Sequence, residues 1–469
     1  MTEKTLFTVE AMCLPETSEF AKVTQKSRII SRSEVLLHAS ENDCWVIVRN
    51  RVYDLTKFVQ RHPGGKDIIL SRAGGDATSF FAVRHGHSPE KSTILERFWI
   101  GELPANEQLD ERALDEPFIH HLTARCEAEG LFNIRPETKL RYLILRLTSI
   151  VLFGTAMYLA FYTRLNLWIS IPLVVIQALI GTSLFGLIAH EHTHRNYPKN
   201  AVLRVLLRLS WPIFWPFISQ EPLRYEHNSH HVKVGDVEFD YEVAAFAMLI
   251  RYSGSVPHRR IHKYQHLIAK YLYPFYANII TTLGGIVSGF WARHNRDVAL
   301  QHGLSLLMTF ICFIVLPHLL GGYWAKALLL YLVYQCCLFY GVYVGAAINH
   351  FIPAALEPIE PKFANKYGYY ICSNTSNFAV NSNFWFWYTG GFNVQIEHHL
   401  VPFVPVENLR RMVPIVRELC EKFDYPYHEY DRFSSLWQDH YTYLRTLSDS
   451  HSSSSVLNEI SNRQGYQAR

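Results

Sequence analysis

Histidines are the residues whose type and spacing could do chemistry in this chain. There are 24 of them, and several stand in clusters. Three clusters form boxes: His190-Glu-His-Thr-His194, His227-Asn-Ser-His230-His231 and Gln395-Ile-Glu-His398-His399. On a helix, positions i, i+3 and i+4 share a face. His190 and His194 then point one way, as do His227, His230 and His231, and as do Gln395, His398 and His399. Each box can offer imidazoles to a common centre. Imidazole suits iron, and an all-histidine shell differs from the Glu-x-x-His sites of soluble di-iron bundles. A lone histidine is usually a satisfied core or surface residue. Three clusters at helical spacing do not fit that reading. His350, in Asn349-His350, is a further candidate ligand, and His192 lies off the His190/His194 face.

The elements that must position these boxes are apolar. A spanning helix needs about 20 apolar residues. Segments 142–162, 167–189, 304–320 and 327–348 meet that need and form two helical hairpins. Arg146 sits near the end of the first and is able to snorkel. Segment 201–219 carries Arg204, Arg208, Pro212 and Pro216 and reads as interfacial. Segment 279–291 is short and holds Gly284-Gly285. It is assigned as non-crossing for a parity reason. Four crossings bring all three boxes to one face, whereas a fifth would put box three opposite. Polar residues beside spanning helices are expensive and often functional.

Composition agrees with a membrane part joined to a soluble part. Apolar residues make up 49% and charged residues only 18%, which is charge-poor beside a typical soluble domain. A net charge of +4 is too small to argue for nucleic acid. The eight cysteines show no framework spacing, so a reducing, cytosol-facing environment is the simplest reading. Met1 to about Lys26 lacks a basic start followed by an apolar run, and is not a secretory signal.

The first hundred residues carry a different pattern. Trp45, Tyr53-Asp-Leu-Thr56, Phe58, His62-Pro-Gly-Gly65 and Ala73-Gly-Gly-Asp-Ala-Thr78, running on to Ile100-Gly-Glu-Leu103, resemble cytochrome b5. The resemblance implies haem b with His62 as one axial ligand, and two imidazoles suit an electron-transfer haem with no open site. The second ligand is His85 or His87. Ser88-Pro89-Glu90 follows His87 as an N-cap, a proline at N1 and an acid in the first turn, and in b5 domains the ligand sits just before such a helix. Fused domains of this kind often place it nearer the preceding aromatic run, which favours His85. His87 is the preferred choice.

The boxes themselves resemble those of membrane fatty acid desaturases. The b5 fusion and Gln395 in place of box three's first histidine resemble the front-end group, a pattern that fused sphingolipid desaturases share. Trp387-Tyr-Thr-Gly-Gly-Phe-Asn393 and Leu400-Val-Pro402 are similar to that family too. The resemblance implies two iron ions held by His190, His194, His227, His230, His231, His398 and His399. His350 is added, and Gln395 is a weak ligand or a neighbour. Box one opens His-Glu where the group commonly has His-Asp.

The expected architecture is therefore a leader (1–31), a small α+β haem domain (32–104) and a linker (105–141). An all-α domain of four transmembrane helices with a cytosolic histidine-rich cap (142–445) and a disordered tail (446–469) follow. The resemblance implies an O2-dependent desaturase in the endoplasmic reticulum membrane, acting on a fatty acyl lipid or acyl-CoA. Electrons would come from NADH-cytochrome b5 reductase through the fused domain, and no nucleic acid is involved. Rival readings are a hydroxylase on the same centre, a non-catalytic electron-transfer protein, and a zinc protease. The last arises because His190-Glu-His-Thr-His194 matches HExxH, with Glu191 as base.

Overall fold

A computed structural model describes residues 28–62, 65–85, 93–109, 116–194, 209–215, 220–237, 239–240, 243, 247–275, 296–357, 359–363 and 366–449. The chain divides into two compact units, with the boundary between Asp115 and Glu116.

The first unit is built on a four-stranded antiparallel sheet in the order β1 (Ala39–Ser40), β2 (Asp43–Val48), β3 (Arg51–Asp54) and β4 (Trp99–Glu102). β2 is buried along almost its whole length, which explains its unbroken apolar run. Its Trp45 and Ile47 join Ile30, Val35, Val52 and Leu103 on one side, while Cys44, Val46 and Val48 meet Tyr53, Val59 and Ile69 on the other. Ile30 is fully buried and its amide donates to the Glu102 carbonyl. The described end of the expected leader is thus part of this unit.

The second unit contains four helices long and apolar enough to cross a membrane: Pro136–Tyr162, Leu167–His194, Gly303–Gly321 and Trp324–His350. Their lengths follow from apolar composition, but two are locally irregular. In the second, a π turn occupies Phe185–His190, next to box one. In the third, a π turn at Ile311–Val315 precedes Pro317. A proline lacks the N–H that would close the ladder one turn back, and a widened turn is a common adjustment. The segment 279–291, expected to be non-crossing, lies outside the described residues. Of the expected interfacial stretch, only residues 209–215 are described. Trp211 and Trp215 there are buried against the second span, with Trp215 Nε1 donating to the Gly181 carbonyl at 3.1 Å.

Two boundaries and one element type differ from expectation. The latter part of the linker is folded: Pro117–Ala128 is a helix with Phe118 fully buried and stacked on Tyr425. Asn408 Nδ2 donates to the carbonyls of Leu131 and Asn133. At the other end, the Phe433–Thr446 helix runs into a buried Leu447, whose carbonyl accepts from Arg251. Finally, the unit is not wholly helical, because β5 (Ser376–Phe378) and β6 (His428–Tyr430) pair in parallel. Three-residue strands and a short helix carry too little periodicity to be read from sequence; their partners stabilise them.

Candidate metal and haem sites

Box one ends the second span, and His350 ends the fourth. Box two lies in the Gln220–Val232 helix, and box three in the Gln395–Leu400 helix. Close packing sets the spacing of boxes one and three. A Cβ on Gly186 would stand 2.6 Å from Gly390 Cα and from the Thr389 carbonyl oxygen. The box-one helix and the turn leading into box three therefore meet backbone to backbone. Gly390 holds that turn with φ +63°, a left-handed helix cap.

β5 then fixes box three. Asn377 Oδ1 accepts from the Ile396 amide at 2.9 Å, and its Nδ2 donates to Glu397 at 2.8 Å. Tyr427 donates its hydroxyl to the same carboxylate at 2.8 Å. Burial pushes the Glu397 carboxyl up to about 7 against those hydrogen bonds. Ser376 Oγ donates to the Asn349 carbonyl, and the Asn374 carbonyl faces His350 Nδ1 at 3.1 Å. One short segment thus serves both box three and the end of the fourth span.

Two imidazole clusters result. His190, His194, His227, His231 and His398 offer nitrogens that all lie within 4.8 Å of one another, and so do His230, His350 and His399. His231 and His399 stack between the clusters with ring centres 3.9 Å apart. In the first cluster, Nε2 atoms meet at 2.9 Å (His194–His227), 2.9 Å (His227–His231) and 3.0 Å (His231–His398). A neutral imidazole Nε2 carries either one hydrogen or one lone pair. A chain of three such contacts through four nitrogens cannot be hydrogen-bonded throughout, whereas a cation among them satisfies every lone pair. With metal–nitrogen bonds of about 2.1 Å, adjacent ligands at a right angle lie about 3.0 Å apart. His190 Nε2 is buried with no protein partner among the described residues, as are both His399 nitrogens. The donor set fits two transition-metal ions.

Electrostatics keep these groups ready to ligate. Burial, and then the neighbouring imidazoles, hold His231 and His399 well below the usual histidine range, so both are neutral. His230 Nδ1 faces Asp240 at 3.0 Å and His350 Nδ1 faces the Asn374 carbonyl, outer contacts of the kind that orient a ligating imidazole. Burial raises the Asp240 carboxyl, but His230 and the Gly235 amide outweigh it and hold it below the ordinary value. Asp240, Asn377 and Tyr427 were not found from sequence. No helical spacing links them to a box, and only tertiary structure brings them there; Glu397 lies within box three, but its partners come from elsewhere in the chain.

Gln395 stands beside the second cluster, with its amide nitrogen 3.3 Å from His350 Nε2 and its carbonyl oxygen buried without a partner among the described residues. His192 belongs to neither cluster; its Nδ1 donates to the Ile188 carbonyl. Glu191, the base of the protease reading, is paired with Arg146 at 3.0 Å. Arg146 itself turns to carboxylates.

In the first unit, His62 ends a 3₁₀ turn and its Nδ1 donates to the Gly65 carbonyl at 2.9 Å. The His85 ring, at the end of the Thr78–His85 helix, lies 6.2 Å from it, centre to centre. Two metal–nitrogen bonds of about 2.0 Å, each with about 1.1 Å from nitrogen to ring centre, span about 6.2 Å. The gap therefore fits one iron between His62 and His85. Phe58 and Phe81 flank the two rings. His87, preferred from sequence, lies outside the described residues.

An apolar-walled membrane unit with two imidazole clusters, preceded by a small unit with a facing histidine pair, defines a membrane oxidoreductase fused to a haem domain. The fatty acid desaturase family model matches residues 132–431 and the cytochrome b5-like heme/steroid binding domain model matches residues 31–104. The chain belongs to the fatty acid desaturase family, whose members are oxidoreductases acting on acyl chains. It is 24% identical to "Acyl-lipid (8-3)-desaturase B" of Dictyostelium discoideum, with 90% of this chain and 94% of that protein covered. "Delta(8)-fatty-acid desaturase 2" of Arabidopsis thaliana is 24% identical, with 90% and 93% covered. Among solved structures, the cytochrome b5 of Ostreococcus tauri virus 2 is 42% identical, covers 16% of this chain and 94% of its own, and has a TM-score of 0.15.

Proposed function

We propose that this chain is a front-end desaturase that places a cis double bond in an already unsaturated acyl chain carried on a lipid. The observation that carries this reading is the convergence of eight imidazoles from three boxes and His350 into two metal-sized clusters. The relatives' names support the lipid carrier and the front-end position.

His190, His194, His227, His231 and His398 would hold one iron, and His230, His350 and His399 the other. Gln395 flanks the second, where half a turn of its amide would aim the oxygen inward. His62 and His85 would hold haem b. When bound, the iron pair supplies the O2 chemistry that removes two hydrogens from adjacent methylenes, and the haem supplies electrons. The chain's own part is to keep the imidazoles neutral and oriented, to exclude water and to hold the acyl chain. Asp240 and the Asn374 carbonyl fix the ring faces of His230 and His350. The electron donor is a separate NADH-dependent reductase, and the haem unit and boxes face the cytosol from the endoplasmic reticulum. The cysteines among the described residues are free, which agrees with a reducing compartment.

The test is expression in a host that lacks polyunsaturated lipids, fed defined unsaturated acids, with products read by mass spectrometry. A product two hydrogens lighter, with its new bond on the carboxyl side of an existing one, is expected. Gain of one oxygen would show a hydroxylase instead, and a bond only on the methyl side would remove the front-end reading.

A further inference from the structure

Glu191 occupies an unusual place. It follows His190 directly, and with His190, His194 and His398 it lines one small cavity beside the first imidazole cluster. The rest of the lining is Gly186, the Gly390-Gly391 turn, and apolar residues that include Phe392, Val404 and Leu409. A carboxylate oxygen can ligate iron, as it does in sites built from two histidines and one carboxylate. An all-histidine shell next to such a group persists only if something holds the carboxylate back.

Arg146 does so. Its Nη2 lies 3.0 Å from Glu191 Oε2 and 2.9 Å from Glu407 Oε1. The Glu407 side chain is fully buried, Glu191 is 17% exposed and Arg146 is 23% exposed. The three groups come from three elements: the first span, box one, and the helix Val406–Phe423 that follows box three. An arginine shared by two carboxylates in a largely enclosed site is held by both. Interactions between charges strengthen as water is removed, so the pair at Glu191 is firmer than one at the surface.

We propose that Arg146, anchored by Glu407, is a positioning residue that restrains the Glu191 carboxylate and so preserves a histidine-only first iron site. This rests on the iron reading above. It gives box one's acid a role other than that of base: to tie the box to the first span while staying out of the metal shell. Release of Glu191 would add an oxygen ligand where the cavity leaves the cluster accessible.

The experiment uses the full-length protein, loaded with iron-57 and read by Mössbauer spectroscopy and iron content. Removing Arg146 alone would strand a buried Glu407, so Arg146→Gln is combined with Glu407→Gln. Wild type sets the reference signature, and Glu407→Gln alone should shift part of the first-site signal towards that of the double variant, because Arg146 has lost its anchor; no shift at all would remove Glu407 from the restraint. The Arg146→Gln/Glu407→Gln protein should keep its iron but show one altered iron site and at least a tenfold loss of turnover. Adding Glu191→Gln should return the wild-type signature, which a merely structural role for Arg146 would not do. An unaltered signature in the double variant, or an altered one that Glu191→Gln fails to reverse, overturns the restraint. Loss of iron from the double variant that Glu191→Gln does not reverse overturns it as well. Absence of iron from the wild type would instead overturn the metal reading itself.

Discussion

With its carboxylate gone, Asp240 could no longer hold His230 by Nδ1 in the ring orientation that offers Nε2 to the second cluster. Loss of such an outer partner typically lowers metal affinity 10–100-fold. Asp240→Asn is therefore expected to weaken one of two irons by about that factor, measured by chelator competition, while the other iron stays. His398→Ala should act on the first site, because its Nε2 belongs to that cluster alone. Product should vanish, and iron should fall towards one equivalent. Retention of both irons in His398→Ala would exclude the assignment. The haem ligands separate as cleanly. His85→Ala should abolish the low-spin haem absorption, whereas His87→Ala should keep it, since the facing pair with a metal-sized gap is His62 and His85. The opposite result would restore the choice made from sequence.

Among the elements, the contact between the box-one helix and the Thr389–Gly391 turn has the least tolerance. A methyl on Gly186 meets Gly390 and Thr389 backbone at 2.6 Å, and backbone cannot swing aside as a flexible side chain would. Overpacking of this kind costs about 1–3 kcal/mol. Gly186→Ala should lower thermal stability accordingly and also reduce iron content, because the strain falls between His190 and His398. A change in melting temperature with full iron content would show that the contact supports the fold and not the site. The π turn at Phe185–His190 belongs to the same scale: it inserts a wide turn before His194 and so alters the phase at which box one faces its partners. Such turns recur at functional sites.

For the whole molecule, the two units imply two separable functions. His62→Ala should stop NADH-driven turnover by removing the haem, yet leave a single turnover when the iron is reduced chemically. Loss of both would mean that His62 also supports the desaturase unit. Much of this organisation was legible in the sequence. The boxes show because metal binding needs several imidazoles within a few ångströms, and helical spacing supplies part of each set locally. The spans show because lipid demands about 20 apolar residues in a row. The HPGG and Gly-Gly-Asp motifs show because tight turns beside a porphyrin demand glycine. What stayed hidden depends on pairs far apart in the chain. Division of the histidines into five and three, the facing of His62 and His85, the service of Asp240 and Asn377, and the Arg146 triad follow no sequence period. Nor do the folded 117–141 segment and the β5–β6 pair. Local chemistry determined which residues could bind metal; only the packing of distant helices decided which nitrogens meet, because a coordination shell is set by distance in space.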